Sequence, residues 1–287
     1  MRRLLEVSER RVCRALGIPR MTQRYAAKRP DDEERLVGDM RRLAEKHPRY
    51  GYRRIWALLR REGWSINRKH VYRLWPSCGA RRAEGLKVTR RRIPKRSRGS
   101  SENSCTVRKA EHPNHVWTWD FIHDHTLEGR PVKLLSLVDE CTRECLALEV
   151  SGSITARDAI AVLRRQFLVR GSPGCIRSDN GPEFIAKASQ GWLGSASVET
   201  LYVAPGSPWE NGYAEAFHSR LRDEFLNMEV FASVKEAQAL ANLWRSDYNH
   251  ERPHSSLGYL TPIEFRDRCG QDATTAETGQ TRLDPEP

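Results

Sequence analysis

Strand-like and helix-like hydrophobic periods alternate between residues 116 and 225, which restricts this part of the chain to a sheet with helices on its faces. Val116–Ile122 reads as a strand, Glu128-Gly129-Arg130 as a turn, Val132–Val138 as a second strand and Leu146–Val150 as a third. Thr155–Val169 carries Ala159, Val162, Leu163 and Phe167 at helical spacing. A short buried strand at Cys175–Arg177, a helix at Pro182–Leu193 and a strand at Val198–Val203 follow. Ser207 is placed to cap a helix that begins at Pro208 and runs through Phe217 and Leu221 to Phe225. The order predicts an α/β domain with a mixed sheet.

Three acids stand at informative places in this layout. Asp120 lies mid-strand between Trp119 and Phe121, where a charge has no ordinary structural use. Asp179 follows the short strand, at the carboxyl edge where open α/β sheets place their sites. Glu215 lies in the last helix, separated from Asp179 by 35 intervening residues, on a face shared with Ser219 and Arg222. Each has a plain alternative. Asp179-Asn180-Gly181 suits a simple turn, Asp120 a strand edge, and Glu215 an ordinary helix surface. Asp124 and Asp139 compete for the first position, Asp139 reading better as a turn residue. Two carboxylates about 4 Å apart repel by roughly 4 kcal/mol at an effective dielectric of 20, so a convergent set requires a cation. Oxygen-only ligands point to Mg²⁺ or Mn²⁺ rather than zinc.

The charge is divided along the chain. The net charge is +12 overall, but residues 1–110 hold 32 Lys and Arg against 11 Asp and Glu, a net of +21, leaving −9 for the remainder. A basic module that binds a polyanion, joined to a domain with different work, is the reading this supports. Within it, residues 8–25 read as a short helix-turn-helix with Ser8 as cap, Gly17 as turn and a second helix after Pro19. A helix from Asp31-Asp32 carries Leu36, Met40 and Leu43 and ends at His47-Pro48. Arg49–Gly63 places Ile55, Leu58 and Leu59 on one side, and Asn67 caps a basic helix, Arg68–Trp75. Helix, glycine turn and capped basic helix form the pattern of a DNA-reading unit, with Arg68, Lys69 and Arg73 as its candidate major-groove contacts. Arg81–Arg98 reads as a flexible basic linker that follows phosphates.

No secretory signal or apolar run of spanning length is visible, so a cytoplasmic protein with no membrane partner is expected. Seven cysteines without CxxC pairs predict reduced thiols, and the His112–His115 and His123–His125 clusters lack the partners of a zinc site. The expected boundaries are a helix-turn-helix region at 1–80, a basic linker at 81–110, the catalytic core at 111–230, a helical extension at 231–268 and a disordered tail at 269–287.

Asp120, Asp179-Asn180-Gly181-Pro182-Glu183-Phe184 and Pro205–Glu215 together resemble the DDE triad of the retroviral-integrase superfamily, closest to the second-reading-frame transposases of IS-three-type insertion sequences. His47–Ile55 resembles that family's N-terminal helix-turn-helix, and Tyr248–Tyr259 with Thr261–Phe265 its C-terminal signature, so the likeness covers about residues 8–267. It implies an RNase-H-like core, two Mg²⁺ (or Mn²⁺) ions with Asp120 between them, Asp179 on one and Glu215 on the other, and catalytic roles for all three acids. It further implies strand cleavage and then attack by the freed 3′-hydroxyl on a second strand, without a covalent protein–DNA intermediate. Ser219, Arg220 and Arg222 become candidate phosphate contacts. The implied partners are double-stranded DNA at the element ends and in the target, further copies of the chain, and a protein from an upstream reading frame. Departures occur at Pro76–Ala83, at the glycines 191 and 194, and at Ala216-Phe217-His218 in place of Ser-Phe-Asn. They keep two alternatives open: an RNase-H-like nuclease, and a degenerate copy that only binds DNA.

Overall fold

A computed structural model of the chain describes residues 8–21, 32–78, 108–179, 181–203 and 211–279. The basic N-terminal region contains α1 (Glu9–Ala15), α2 (Asp32–Lys46), α3 (Tyr52–Arg61) and α4 (Arg68–Leu74). Leu36, Met40 and Leu43 of α2 pack on Ile55, Leu58 and Leu59 of α3 and on Val71 and Leu74 of α4. Gly63 makes the α3–α4 turn at φ +92°, a conformation that L side chains rarely adopt. The Asn67 side chain accepts the Lys69 N–H at 2.9 Å, the cap expected from sequence. Part of the 76–83 interruption proves structural. Trp75–Cys78 forms a 3₁₀ turn that buries Cys78 in this core, and Arg41 Nε donates to the Cys78 carbonyl at 3.2 Å. The second helix expected after Pro19 and the 81–110 linker fall largely outside the described residues.

The second region is built on a five-stranded sheet of order β3-β2-β1-β4-β5. Its strands are β1 (Val116–His125), β2 (Pro131–Asp139), β3 (Cys145–Ser151), β4 (Cys175–Ser178) and β5 (Glu199–Tyr202). β1–β2 and β2–β3 are antiparallel, whereas β1–β4 and β4–β5 are parallel. This is the mixed sheet that the resemblance implies. The alternation along β1 explains its central place, because both faces are covered. Trp117 and Trp119 point to one core with Leu135, Leu137, Ile176, Phe184, α5 (Ala156–Arg170) and α7 (Lys187–Ser195). Ile122 points to the other, with Val132, Leu134, Leu148, Phe217 and Leu221 of α8 (Gly212–Leu221), and α9 (Val234–His250).

Several boundaries differ from the sequence reading. β1 runs three residues past Ile122, because its ladder with β2 continues to His125 opposite Pro131. The helix expected at Pro182–Leu193 is two, α6 (Pro182–Ile185) and α7, with Ala186 extended between them. Ser189 Oγ donates to the Glu183 carbonyl that this break exposes, at 2.7 Å. The helix expected from Pro208 is described only from Gly212, Ser207 and Pro208 lying outside the described residues. It continues past Leu221 through a π-helical segment, Arg222–Leu226. The expected disordered tail from 269 is corrected: α10 (Pro262–Gly279) carries the chain on to 279. Extending an existing helix is far cheaper than nucleating one, and Gln271–Glu277 contains helix formers and no glycine or proline.

The exposed edge of β3 is closed by side chains of α9. Asn249 accepts the Cys145 N–H and donates to the Cys145 carbonyl, both at 2.9 Å. Gln238 does the same for the Val150 N–H at 2.6 Å and the Leu148 carbonyl at 3.1 Å, and Arg245 reaches the Leu146 carbonyl at 2.8 Å. These amides stand in for a sixth strand. Among the described residues no cysteine is in a disulfide, and no helix is long and apolar enough to cross a membrane.

Candidate active site

Parallel pairing of β1 with β4 sets Val116 opposite Cys175, Trp117 opposite Ile176 and Thr118 opposite Arg177. Carried two residues further, the same offset puts Asp120 beside Asp179, just past the carboxyl end of β4. Asp120 shares its face of β1 with Thr118 and Ile122, the face crossed by α8. The start of α8 is tied down there. Asn211 is 3.2 Å from Thr118 Oγ1 and donates to Asp120 Oδ2 at 3.2 Å. Further along, His218 Nε2 is 2.9 Å from Ser136 Oγ and its Nδ1 is 3.8 Å from Asp120 Oδ2. Glu215 stands on the turn between these two anchors, with its side chain exposed.

The electrostatics of Asp120 record this neighbourhood. Its carboxyl is pushed up to about 6, first by burial and then by the charge of Asp179, against hydrogen bonds from the Phe121 N–H and Asn211; Glu215 adds a smaller push in the same direction. The acids share one neighbourhood but do not close on a point. Asp120 Oδ1 accepts the Phe121 N–H at 2.7 Å, and Asp179 Oδ1 accepts the Gly181 N–H at 2.9 Å. Among the described residues no three His, Cys, Asp or Glu side chains converge tightly enough to hold a metal ion.

The hydrogen bond between Asp179 and Gly181 is compatible with both readings of Asp179, as a turn residue and as a sheet-edge acid. Gly181 is needed at that turn because a Cβ there would lie 3.0 Å from Asp179 Oδ1 and 3.3 Å from the Phe184 ring. Phe184 stacks on Trp119 and Phe121, with ring centroids 4.3 and 4.8 Å apart, which clamps the segment after Asp179 to the other face of β1. Glu183 pairs with Lys133 at 2.5 Å, and Lys133 lies 3.9 Å above the Phe121 ring. The competing acids are accounted for elsewhere. Asp139 holds the turn after β2 by accepting the N–H groups of Cys141, Thr142 and Asn114. Asp124 accepts the N–H of His125 at 2.8 Å.

Sequence reasoning gave no role to Asn211, His218, Ser136, Lys133, Glu183 or Phe184. Asn211, four residues before Glu215, carried a helical-spacing signal; Lys133 and Ser136 carried none. Ser219, Arg220 and Arg222 are exposed, and the charge of Arg222, after burial, helps hold His218 down at about 4. Arg68, Lys69 and Arg73 are exposed on α4, about an N-terminal module that lies well along the chain from the acids. Arg73 approaches Glu33 at 3.7 Å.

Comparison with known proteins bears directly on this arrangement. Residues 110–208 and 196–262 each match an integrase core domain family, and residues 31–93 match an HTH-like domain family. The chain is 37% identical to the insertion element IS407 uncharacterized 31.7 kDa protein of Burkholderia multivorans over 96% of this chain and 97% of that one. It is also 37% identical to the insertion element IS476 uncharacterized 39.2 kDa protein of Xanthomonas euvesicatoria, over 92% of this chain and 75% of that one. The putative transposase InsK for insertion sequence element IS150 of Escherichia coli is 27% identical over 89% of this chain and 92% of that one. Among solved structures, the HTLV-2 integrase catalytic core in complex with magnesium aligns at a TM-score of 0.44 with 18% identity, over 55% of this chain and 99% of that one. With an HTH-like module ahead of an integrase core, and an insertion-element protein 37% identical and matched nearly end to end, the chain belongs to the insertion-element transposases.

Proposed function

We propose that this protein cuts DNA at the ends of its own insertion element and joins those ends to target DNA, with Asp120, Asp179 and Glu215 as its catalytic and metal-holding acids. The observation that carries this reading is the half-buried Asp120 beside Asp179, crossed by the helix that bears Glu215. The donor set fits a hard divalent ion, because all three side chains offer oxygen and the charge of Asp179 adds to burial in raising the Asp120 carboxyl. Asp120, Asp179 and Glu215 would together hold the Mg²⁺ or Mn²⁺ ions. Paired ions, when bound, supply charge neutralisation at both the attacking and leaving oxygens of an in-line phosphoryl displacement.

The chain's own residues do the rest. Asn211 orients the Asp120 carboxylate by donating to its Oδ2, and His218, anchored on Ser136, stands beside it. Ser219, Arg220 and Arg222, exposed along the Glu215 face, receive the phosphates on either side of the scissile bond. Arg68, Lys69 and Arg73 on α4 read the terminal repeat in a major groove. The corresponding organisation is a DNA-binding region at 1–80, a linker at 81–110, a core at 111–230 and an extension from 231. The protein would act in the bacterial cytoplasm, as several copies on DNA, with an upstream-frame partner.

Oligonucleotides carrying the element's terminal repeats test this with Mg²⁺ or Mn²⁺ supplied. Joined products that vanish with EDTA support strand transfer. Cleavage without joining favours the RNase-H-like nuclease, and binding without cleavage favours the degenerate copy.

A further inference from the structure

The side chain of Glu224, in the π-helical segment that continues α8, is only 6% exposed although it is charged. Two arginines from distant parts of the chain meet it. Arg252, just after α9, makes a bidentate pair with both of its oxygens at 2.6 Å, and Arg54 of α3 donates to Oε1 at 2.8 Å. Arg54 also lies 4.9 Å over the Tyr50 ring. Around this hub, Arg61 pairs with Glu264 at 2.5 Å and reaches the Tyr259 carbonyl at 3.2 Å, while Trp56 meets the Tyr259 ring edge-on at 5.5 Å. Two segments singled out in the sequence, 47–55 and 248–259, therefore face each other across one carboxylate. α4 takes no part in this contact, and Arg68, Lys69 and Arg73 stay exposed.

We propose that Glu224 is a positioning residue that docks the DNA-reading module onto the helix of Glu215, so that a single protomer presents end recognition and strand chemistry in one fixed geometry. Arg54 and Arg61 belong to this docking surface and do not contact DNA. The inference rests on the transposase reading above for its consequence, but the docking itself does not depend on it. Bidentate charge-assisted pairing supplies directional strength, and the surrounding aromatic and ionic contacts fix rotation about it.

The test uses the full chain with the double variant Arg54→Gln/Arg61→Gln, which leaves the Glu224–Arg252 pair intact. Hydrogen exchange is followed over residues 49–61, 222–226 and 251–264, alongside affinity for a terminal-repeat duplex and strand transfer at saturating DNA. Expected is at least tenfold faster exchange in all three segments, affinity within about threefold of wild type, and strand transfer down by about tenfold or more. A charge-exchanged pair, Arg61→Glu with Glu264→Arg, is expected to restore activity that Arg61→Glu alone loses. Unchanged exchange overturns the docking. Faster exchange with unchanged strand transfer overturns the positioning role, and a fall in DNA affinity matching the fall in activity overturns the assignment of these arginines away from DNA. A wild-type chain that joins no DNA ends, yet shows the exchange difference, refutes the proposed strand-transfer activity and leaves the docking standing.

Discussion

Asp120 is held in the fold at a cost, and that cost makes a prediction. A half-buried acid pushed up to about 6 is less stable ionised in the fold than in the unfolded chain, so above its ordinary range its charge weakens the fold. Asp120→Asn keeps the shape and removes the charge. The ion-free variant is expected to be more stable at pH 7, on the order of 1–2 kcal/mol by thermal melting, with strand transfer abolished. A destabilised variant would show that Asp120 is paired more favourably than the structure implies. Gly181→Ala probes the neighbouring acid, since its Cβ would press on Asp179 Oδ1 from 3.0 Å. Residual cleavage should fall while the melting temperature changes by only a few degrees, because the strain of about 1 kcal/mol is local. A variant with full activity would show that Asp179 need not keep this turn.

At the scale of elements, the α9 amides on the β3 edge explain why a polar residue is buried at 249. Asn249→Ala would leave the N–H and carbonyl of Cys145 unpaired, at about 1–3 kcal/mol each. Urea unfolding should show a lowered midpoint, and aggregation through the opened edge is expected at high concentration. A midpoint equal to wild type would mean that water replaces the amide. The loop after α9 adds a pH dependence. Burial, and then the charges of Arg252 and Arg54, hold His254 down at about 2, and its ring nitrogen lies 3.3 Å from Arg252 Nη1 and so acts as the acceptor. Its folded pKa lies below the unfolded value near 6.5, so its contribution is intact above that pH. It is lost on acidification, at up to about 1.4 kcal/mol per pH unit. Glu224 adds to the same trend. Burial favours its neutral form, but the hydrogen bonds and charges of Arg252 and Arg54 prevail and hold it below the usual carboxylate range. Melts from pH 7 to 4 should fall progressively, and His254→Gln should flatten the part between 6.5 and 4.5.

Strands β1 to β5 and most helices were legible because their apolar periods are local. Asp120 and Asp179 stood out as candidates because one interrupts such a period and the other ends it, whereas Glu215 stood out only through its place in the motif. Legibility failed where residues far apart in sequence complete one another. Lys133 with Glu183, Ser136 with His218 and Arg54 with Glu224 carry no periodic signal, because their meaning arises only when tertiary packing brings them together. The break at Ala186 and the continuation of α10 were missed for a related reason, as helix ends follow carbonyl satisfaction and propagation more than composition.

For the whole molecule, the separation of charge should govern how it meets DNA. The +21 held by residues 1–110 makes affinity fall steeply with salt. Removing one cation that neutralises a phosphate reduces the slope of log K against log salt by about 0.9. Arg68→Ala/Lys69→Ala is therefore expected to make the slope shallower by roughly 1.8 in titrations from about 50 to about 300 mM salt. An unchanged slope would move the phosphate-binding cations elsewhere on the basic region.

The π-helical segment at Arg222–Leu226 has a consequence for how this chain tolerates length changes. Its wider turn accommodates one residue more than a regular helix, and a regular helix advances about 100° per residue. Deleting a single residue there would let the helix straighten, yet swing Phe225 and all that follows around the axis relative to Glu215. The bulge thus works as a phase adjuster, reconciling the angular setting of Glu215 with that of the carboxylate nine positions on that receives two arginines.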